Sequence, residues 1–132
     1  MNNSLKFEKV TYSKFRNYLL IQNDSLKWFL WHLNKTSKEF TYQYIYNYNE
    51  IVGVISLMKH TSTYVGIYID KSFRGNNIGT DTIKLIKNSN PNENLIFKVS
   101  KLNNISLLFF DRLISKHIIK NKKEEINFYF YK

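Results

Sequence analysis

Apolar and polar residues alternate along this chain with two different periods, and the changes of period mark its elements. From Leu5 to Val10 the period is close to two, which predicts a first strand. Phe15, Tyr18, Leu19 and Ile21 then recur near helical spacing, with Thr11 or Ser13 available as a cap. A second helix is expected over Leu26 to Leu33, opened by Asp24 or Ser25 and carrying Trp28, Phe29 and Trp31. Tyr42 to Tyr46 and Ile51 to Leu57 read as strands joined through Asn47-Tyr48-Asn49-Glu50, a hairpin signal. Tyr64 to Ile69, dense in β-branched and aromatic residues, completes an antiparallel meander. Helical spacing returns with Ile78, Ile83, Leu85 and Ile86 among Lys84 and Lys87, until the asparagine-rich connector holding Pro91 forbids continuation. Leu95 to Val99 is continuously apolar, as a buried strand is, and its link through a helix predicts parallel pairing with the strand before it. Ile105, Leu107, Leu108, Phe109, Leu113 and Ile114 give a helix over Asn103 to Ile114. Lys116 to Lys120 and Ile126 to Tyr131 predict a last hairpin across Asn121–Glu124.

The order β-α-α-β-β-β-α-β-α-β-β describes an α/β (α+β) domain, a mixed and mostly antiparallel sheet of about seven strands flanked by about four helices. A length of 132 residues fits one domain, residues 1–132, with a single sizeable core. An apolar share of 43% puts the chain among packed globules, and no apolar run reaches the roughly 18 residues of a membrane span. Met1 to Lys6 lacks the apolar core of a signal peptide, and there is no cysteine for a disulfide, a thiolate metal site or a thiol nucleophile. A cytoplasmic protein without a metal is expected. The net charge of +10 fits an anionic partner: nucleic acid, acidic lipid or a phosphorylated small molecule. It equally fits a chain rich in Lys, Asn, Ile and Tyr for compositional reasons. The lysines are scattered and arginine is rare, which weighs against nucleic acid.

The densest chemistry lies between Tyr64 and Lys87, where a strand runs through Arg74-Gly75-Asn76-Asn77-Ile78-Gly79 into a helix. The first N–H groups of a helix have no internal partners and carry the positive end of its dipole. Residues tolerant of positive φ let a ligand approach the backbone, and an arginine can add a charge-assisted contact. This is a recipe for holding a diphosphate, although a plain strand-to-helix connection uses the same residues.

Arg74-Gly75-Asn76-Asn77-Ile78-Gly79 resembles the acetyl-CoA signature of the GCN5-related N-acetyltransferases, Gln/Arg-x-x-Gly-x-Gly/Ala, with Asn77 in place of the middle glycine. A second resemblance follows Val99: Asn103, Ser106 and Phe109 fall on the Asn, the small residue and the Leu of that family's later motif, with Asp111 and Arg112 on its acid–base pair. Phe110 falls where many relatives have a tyrosine that protonates the departing thiolate. Together the matches cover Tyr64 to about Ser115, and the remainder agrees in element order. The resemblance implies the acyl-CoA N-acyltransferase fold, acetyl-CoA as co-substrate and a primary amine as acceptor, acetylated directly in a ternary complex.

It also implies a division of labour. Backbone groups of Ile67, Tyr68 and Ile69 would grip pantetheine and acetyl where strands part. N–H groups from Gly75 to Thr80, a stretch holding Asn76, Asn77, Ile78 and Gly79, would take the pyrophosphate beside Arg74. Asn103 would meet the pantetheine arm, with Ser106, Phe109 and Phe110 on the same helix. Trp28, Trp31 and His32 are candidates for an acceptor pocket, with helix packing the alternative for the tryptophans. For a base, Tyr68 and His60 stand beside Glu50, Tyr64 and Asp70, and a water chain could serve instead. Asp24-Ser25-Leu26-Lys27-Trp28-Phe29 ahead of the Tyr42–Leu57 hairpin resembles acetyltransferases acting on nucleotide-linked amino sugars in bacterial glycan pathways. That makes an amino sugar the first acceptor to expect; peptide amines, small amines and a catalytically degenerate CoA-binding or interaction module stay open. Many relatives form homodimers, so a homodimer is open as well.

Overall fold

In a computed structural model the chain is described over residues 4–22, 40–59, 61–75, 77–100, 108–110, 112, 118–123 and 126–131. Thr11 opens the first helix as its alternating neighbours predict: its Oγ1 accepts from the Lys14 N–H at 3.2 Å. That helix, α1 (Tyr12–Leu20), follows strand β1 (Leu5–Val10) and turns Phe15 and Leu19 fully inward. Ile21 falls beyond the helix, as its C-cap, and is 75% exposed, so the helical apolar stripe stops one residue short of the pattern in the sequence. The helix expected over residues 26–33 lies outside the described residues.

β2 (Phe40–Asn47) and β3 (Glu50–Lys59) form the expected hairpin, each longer than its apolar alternation. Its tip is Tyr48-Asn49, with Tyr48 at φ 58°. β4 (Thr63–Ile69) completes the meander, and a 3₁₀ turn (Lys71–Phe73) leads to α2 (Ile78–Ser89). β5 (Leu95–Ser100) returns parallel to β4. Residues 108–110 and 112 are helical, inside the helix expected there. β6 (Ile118–Lys123) and β7 (Ile126–Tyr131) form the last hairpin, and β6 keeps pairing through Lys123, three residues past its expected end at Lys120 and into the expected turn. The seven strands lie in the order β1-β2-β3-β4-β5-β7-β6, antiparallel throughout except at β4–β5.

Period-two alternation then sorts side chains onto two faces. α2 covers one face with Ile78, Ile83 and Ile86 packed on Val52, Ile55, Leu57, Val65, Leu95 and Phe97. α1 covers the other, where Phe15 and Leu19 meet Tyr42, Val54 and Tyr68. Val52 is an extra residue in β3: Ile45 pairs with Gly53 and Tyr46 with Ile51, which leaves Val52 as a bulge.

Candidate active site

The gap between β4 and β5 is the first element of the site. Parallel pairing joins Thr63 to Leu95 and Tyr64 to Ile96 and goes no further, so the strands part for the rest of their length. Backbone direction follows from one hydrogen bond. Asp70 N–H donates to the Val52 carbonyl at 2.8 Å, and alternation along the antiparallel ladder therefore turns the polar groups of Tyr68 toward β3. Those of Ile67 and Ile69 turn the other way, into the gap. Of the three residues expected to offer backbone there, two present it; Tyr68 presents neither N–H nor C=O.

Arg74 closes one end of this edge. Its Nε donates to the Ile69 carbonyl at 3.0 Å, and its guanidinium lies over the Tyr68 ring, 5.4 Å from the centroid. The loop is thus braced against the strand end, aided by Asp70, whose Oδ1 accepts from Ser72 N–H and Oγ at 3.1 and 3.0 Å. Gly75 stands at φ 88° and Asn77 at φ 62°, ψ 10°. Asn77 therefore occupies the left-handed conformation that a glycine takes most easily, and Asn is among the side chains that best tolerate it. As the N-cap of α2 it makes no side-chain cap bond, and its carbonyl accepts the first helical bond, from Asp81 N–H at 2.9 Å. The N–H groups of Ile78, Gly79 and Thr80 precede that bond and have no partner within the helix. They lie at the dipole's positive end.

The Ile78 side chain itself points into the core, 3% exposed, so only its amide is at issue. Gly79 stands tight against Phe109: a Cβ there would meet the ring at 3.2 Å, which the ring would have to ease, and Ile69 Cγ1 at an ordinary 3.9 Å. Phe109 stands edge-on to Phe110, 5.1 Å between centroids, and Phe110 packs on Phe97 at 5.0 Å. Phe110 is a buried core residue with no proton to donate. Strand end, loop, helix N-terminus and Phe109 are therefore brought together in one place. Asn76, Asn103, Ser106, His60, Trp28, Trp31 and His32 lie outside the described residues.

Tyr68, a candidate base, is 7% exposed and packs in the α1-side core, with its ring under Arg74. Glu50 is exposed at the start of β3, and Tyr64 is half-buried on β4. Two residues outside the expected site set shape this region. Gly53 lets β3 approach β4, and Tyr18 of α1 places its hydroxyl near Asp70. Burial first, then the Asp70 carboxylate and Tyr68, push the Tyr18 phenol well above the ordinary tyrosine range. A broad groove lined by Leu5, Phe7, Leu57, Leu85 and Ile86 lies at the other end of α2, away from the loop.

The Campylobacter jejuni N-acetyltransferase PseH superposes with a TM-score of 0.66 at 16% identity, over 98% of each chain. The fold is that of the GCN5-related N-acetyltransferases. The PaiA N-acetyltransferase of Thermoplasma acidophilum, solved with coenzyme A, superposes at 0.66 with 10% identity over 98% of this chain and 99% of its own. A variant of the Vibrio cholerae spermidine N-acetyltransferase SpeG gives 0.67 with 11% identity over 99% and 94%. PseH has also been solved with acetyl coenzyme A. No family model and no curated protein matches the sequence. At such identities the likeness fixes the fold and leaves the activity to be argued from the site. No helix among the described residues is long and apolar enough to cross a membrane.

Proposed function

We propose that this chain is an acetyl-CoA-dependent N-acetyltransferase whose acceptor is a primary amine, with a nucleotide-linked amino sugar as the first candidate. The observation that carries the reading is the early parting of β4 from β5 beside a helix N-terminus. Outward-facing amides of Ile67 and Ile69 match the amide-bearing pantetheine arm, and unpartnered amides at Ile78 to Thr80 match a diphosphate. A short gap joined to an anion cradle is the shape of CoA. Similarity to structures solved with acetyl coenzyme A and coenzyme A supports this. Asn76, Asn103 and Ser106 complete the CoA site in this reading, and Trp28, Trp31 and His32 the acceptor side.

The reaction itself asks little covalent chemistry of the protein. The amine gives up a proton, its nitrogen attacks the thioester carbonyl, the C–N bond forms and the C–S bond breaks. The thiolate then takes a proton from water, because Phe110 has none to offer. Backbone donors at the strand edge hold the carbonyl and steady its developing charge. His60 and Asp70 remain the candidates for receiving the amine's proton. The protein would work in the cytoplasm, without a metal, as a monomer or homodimer.

Calorimetric titration with acetyl-CoA at two salt concentrations tests the reading, followed by thiol release with amines and nucleotide-linked amino sugars. Saturable binding with turnover is expected. Absence of binding at both salts overturns it. Binding without turnover on any acceptor favours the degenerate module, to which the phenylalanine at position 110 already points.

A further inference from the structure

The sheet has two edge strands, β1 and β6, and they differ in charge. β6 carries Lys120, Lys122 and Lys123 and no acidic residue, so a second β6 laid against it would meet only like charge. β1 carries both signs, Lys6, Glu8 and Lys9, and its ladder to β2 runs from Leu5 to Val10 without a bulge. One hydrogen bond settles which of its groups are open. Tyr48 N–H donates to the Ser4 carbonyl at 3.0 Å, one step beyond the Leu5–Asn47 pair. Ser4, and by alternation Lys6, Glu8 and Val10, therefore turn their polar groups to β2. The N–H and C=O groups of Leu5, Phe7 and Lys9 point away from the sheet, and among the described residues no strand pairs with them. Leu5, Phe7 and Lys9 line the groove on the α2 face, where Phe7 is only half-buried. Lys6 and Glu8 are exposed, and among the described residues neither has an ion-pair partner.

We propose that β1 is a homodimer interface, pairing antiparallel with β1 of a second copy so that Phe7 lies on the two-fold axis. Self-pairing has to oppose outward-facing residues to one another, which restricts it to registers two residues apart. With Phe7 on the axis, Leu5 faces the partner's Lys9 and Lys6 faces the partner's Glu8. Symmetry makes that ion pair twice. A slip of two residues one way sets Lys6 against the partner's Lys6, and a slip the other way sets Glu8 against the partner's Glu8. Both are non-hydrogen-bonded pairs with Cα atoms about 4.5 Å apart, where like charges oppose each other closely. Longer slips leave most of the strand unpaired. Charge thus selects one register. On the groove face the Phe7 rings of the two copies meet at the axis, and the Lys9 stem lies over the partner's Leu5. A net charge of +10 sets the copies against each other at long range, but salt of about 0.15 M screens this beyond roughly 8 Å and leaves the local pairs to decide. The pairing rests on the strand edge alone and not on the acetyl-transfer reading.

The test is sedimentation velocity on the full-length chain in about 0.15 M salt. A dimer is expected. K6E and E8K should each weaken it about tenfold or more, because each turns both ion pairs into like-charge pairs. An equimolar mixture of K6E and E8K should dimerise again, since one copy then presents acids where the other presents lysines. Both positions are exposed, so the variants keep the fold, and the mixture would expose any loss of it. Amide exchange gives a second reading. The amides of Leu5, Phe7 and Lys9 should gain protection as protein concentration rises, whereas those of Lys6 and Glu8, already bonded to β2, should not. A chain that stays monomeric at sub-millimolar concentration, a dimer indifferent to K6E and E8K, a mixture no better than its components, or concentration-independent exchange at Leu5, Phe7 and Lys9 overturns the proposal.

Discussion

Gly53 faces the carbonyl oxygen of Tyr68 so closely that a Cβ on it would stand 2.2 Å from that oxygen and 3.2 Å from Ile69 Cα. The obstacle is backbone, which cannot rotate away. β3 and β4 would have to separate at the stretch where β4 turns its polar groups into the β4–β5 gap. Gly53→Ala should therefore destabilise by about 2–4 kcal/mol, read by urea denaturation, and should also weaken acetyl-CoA binding. A loss under about 0.5 kcal/mol would mean the strands give way more easily than this contact implies.

Asn77 makes a milder demand. Its φ of 62° costs a side chain about 1–2 kcal/mol in general, least for Asn and nothing for Gly. Asn77→Gly should hold stability within about 0.5 kcal/mol and keep acetyl-CoA affinity. Asn77→Val should lose about 1–2 kcal/mol and misplace the amides of Ile78 to Thr80, so affinity falls with it. Equal behaviour of the two variants would break the link between this backbone conformation and the cofactor.

Much of this was written in the alternation. The apolar run of Leu95–Phe97, the stripe of Ile78, Ile83 and Ile86 and the Tyr48-Asn49 hairpin tip all appear where periodicity puts them, because burial imposes the period. The loop from Arg74 to Gly79 is legible for a similar reason: its positive-φ positions, 75 and 77, carry Gly and Asn, the residues that tolerate them. Features that depend on a partner were not visible. Val52 is a bulge only relative to Ile45 and Tyr46, and Gly53 matters only because Tyr68 lies opposite. Polar Asn121, Lys122 and Lys123 read as a turn, yet they pair with Phe128, Asn127 and Ile126 because the neighbouring strand supplies a ladder. Gly79 looked like an opening for a ligand, and the ring of Phe109 is what fills the space.

Tyr18→Phe tests the burial of this phenol beside Asp70. Its hydroxyl makes no hydrogen bond of good geometry, so removing it should leave stability within about 1 kcal/mol at neutral pH. The pH dependence has a definite sign. The Tyr18 phenol in the folded chain is held above its unfolded value near 10, by burial first and then by Asp70. The folded state thus binds the proton more tightly, its contribution is complete below about pH 10, and stability falls as pH rises beyond. The variant should show a shallower alkaline decline, with a residual slope from Tyr42 and Tyr44, both raised by burial. An identical alkaline limb in both proteins would show that the titration of Tyr18 is not coupled to folding.

Glu93 decides where β4 and β5 stay together. Its Oε2 accepts from Thr63 Oγ1 at 2.8 Å, its backbone carbonyl accepts from Lys87 Nζ at 2.6 Å, and Thr63 N–H donates to the Asn94 carbonyl at 2.8 Å. Thr63 is 1% exposed and forms the first of the two rungs before the strands part. Lys59 adds an ion pair at 3.3 Å, but with over half of its side chain exposed that pair contributes little. Glu93→Ala should cost about 1–3 kcal/mol, because it leaves the Thr63 hydroxyl buried without an acceptor. Adding Thr63→Val to it removes that orphan and should recover part of the loss, giving a coupling of about 1 kcal/mol in a double-mutant cycle. If the rung also fixes the mouth of the gap, Glu93→Ala should weaken acetyl-CoA binding several-fold and the double variant should restore some of it. Additive effects on stability would show that Glu93 and Thr63 act separately, and unchanged affinity would show that the rung holds the sheet without shaping the site.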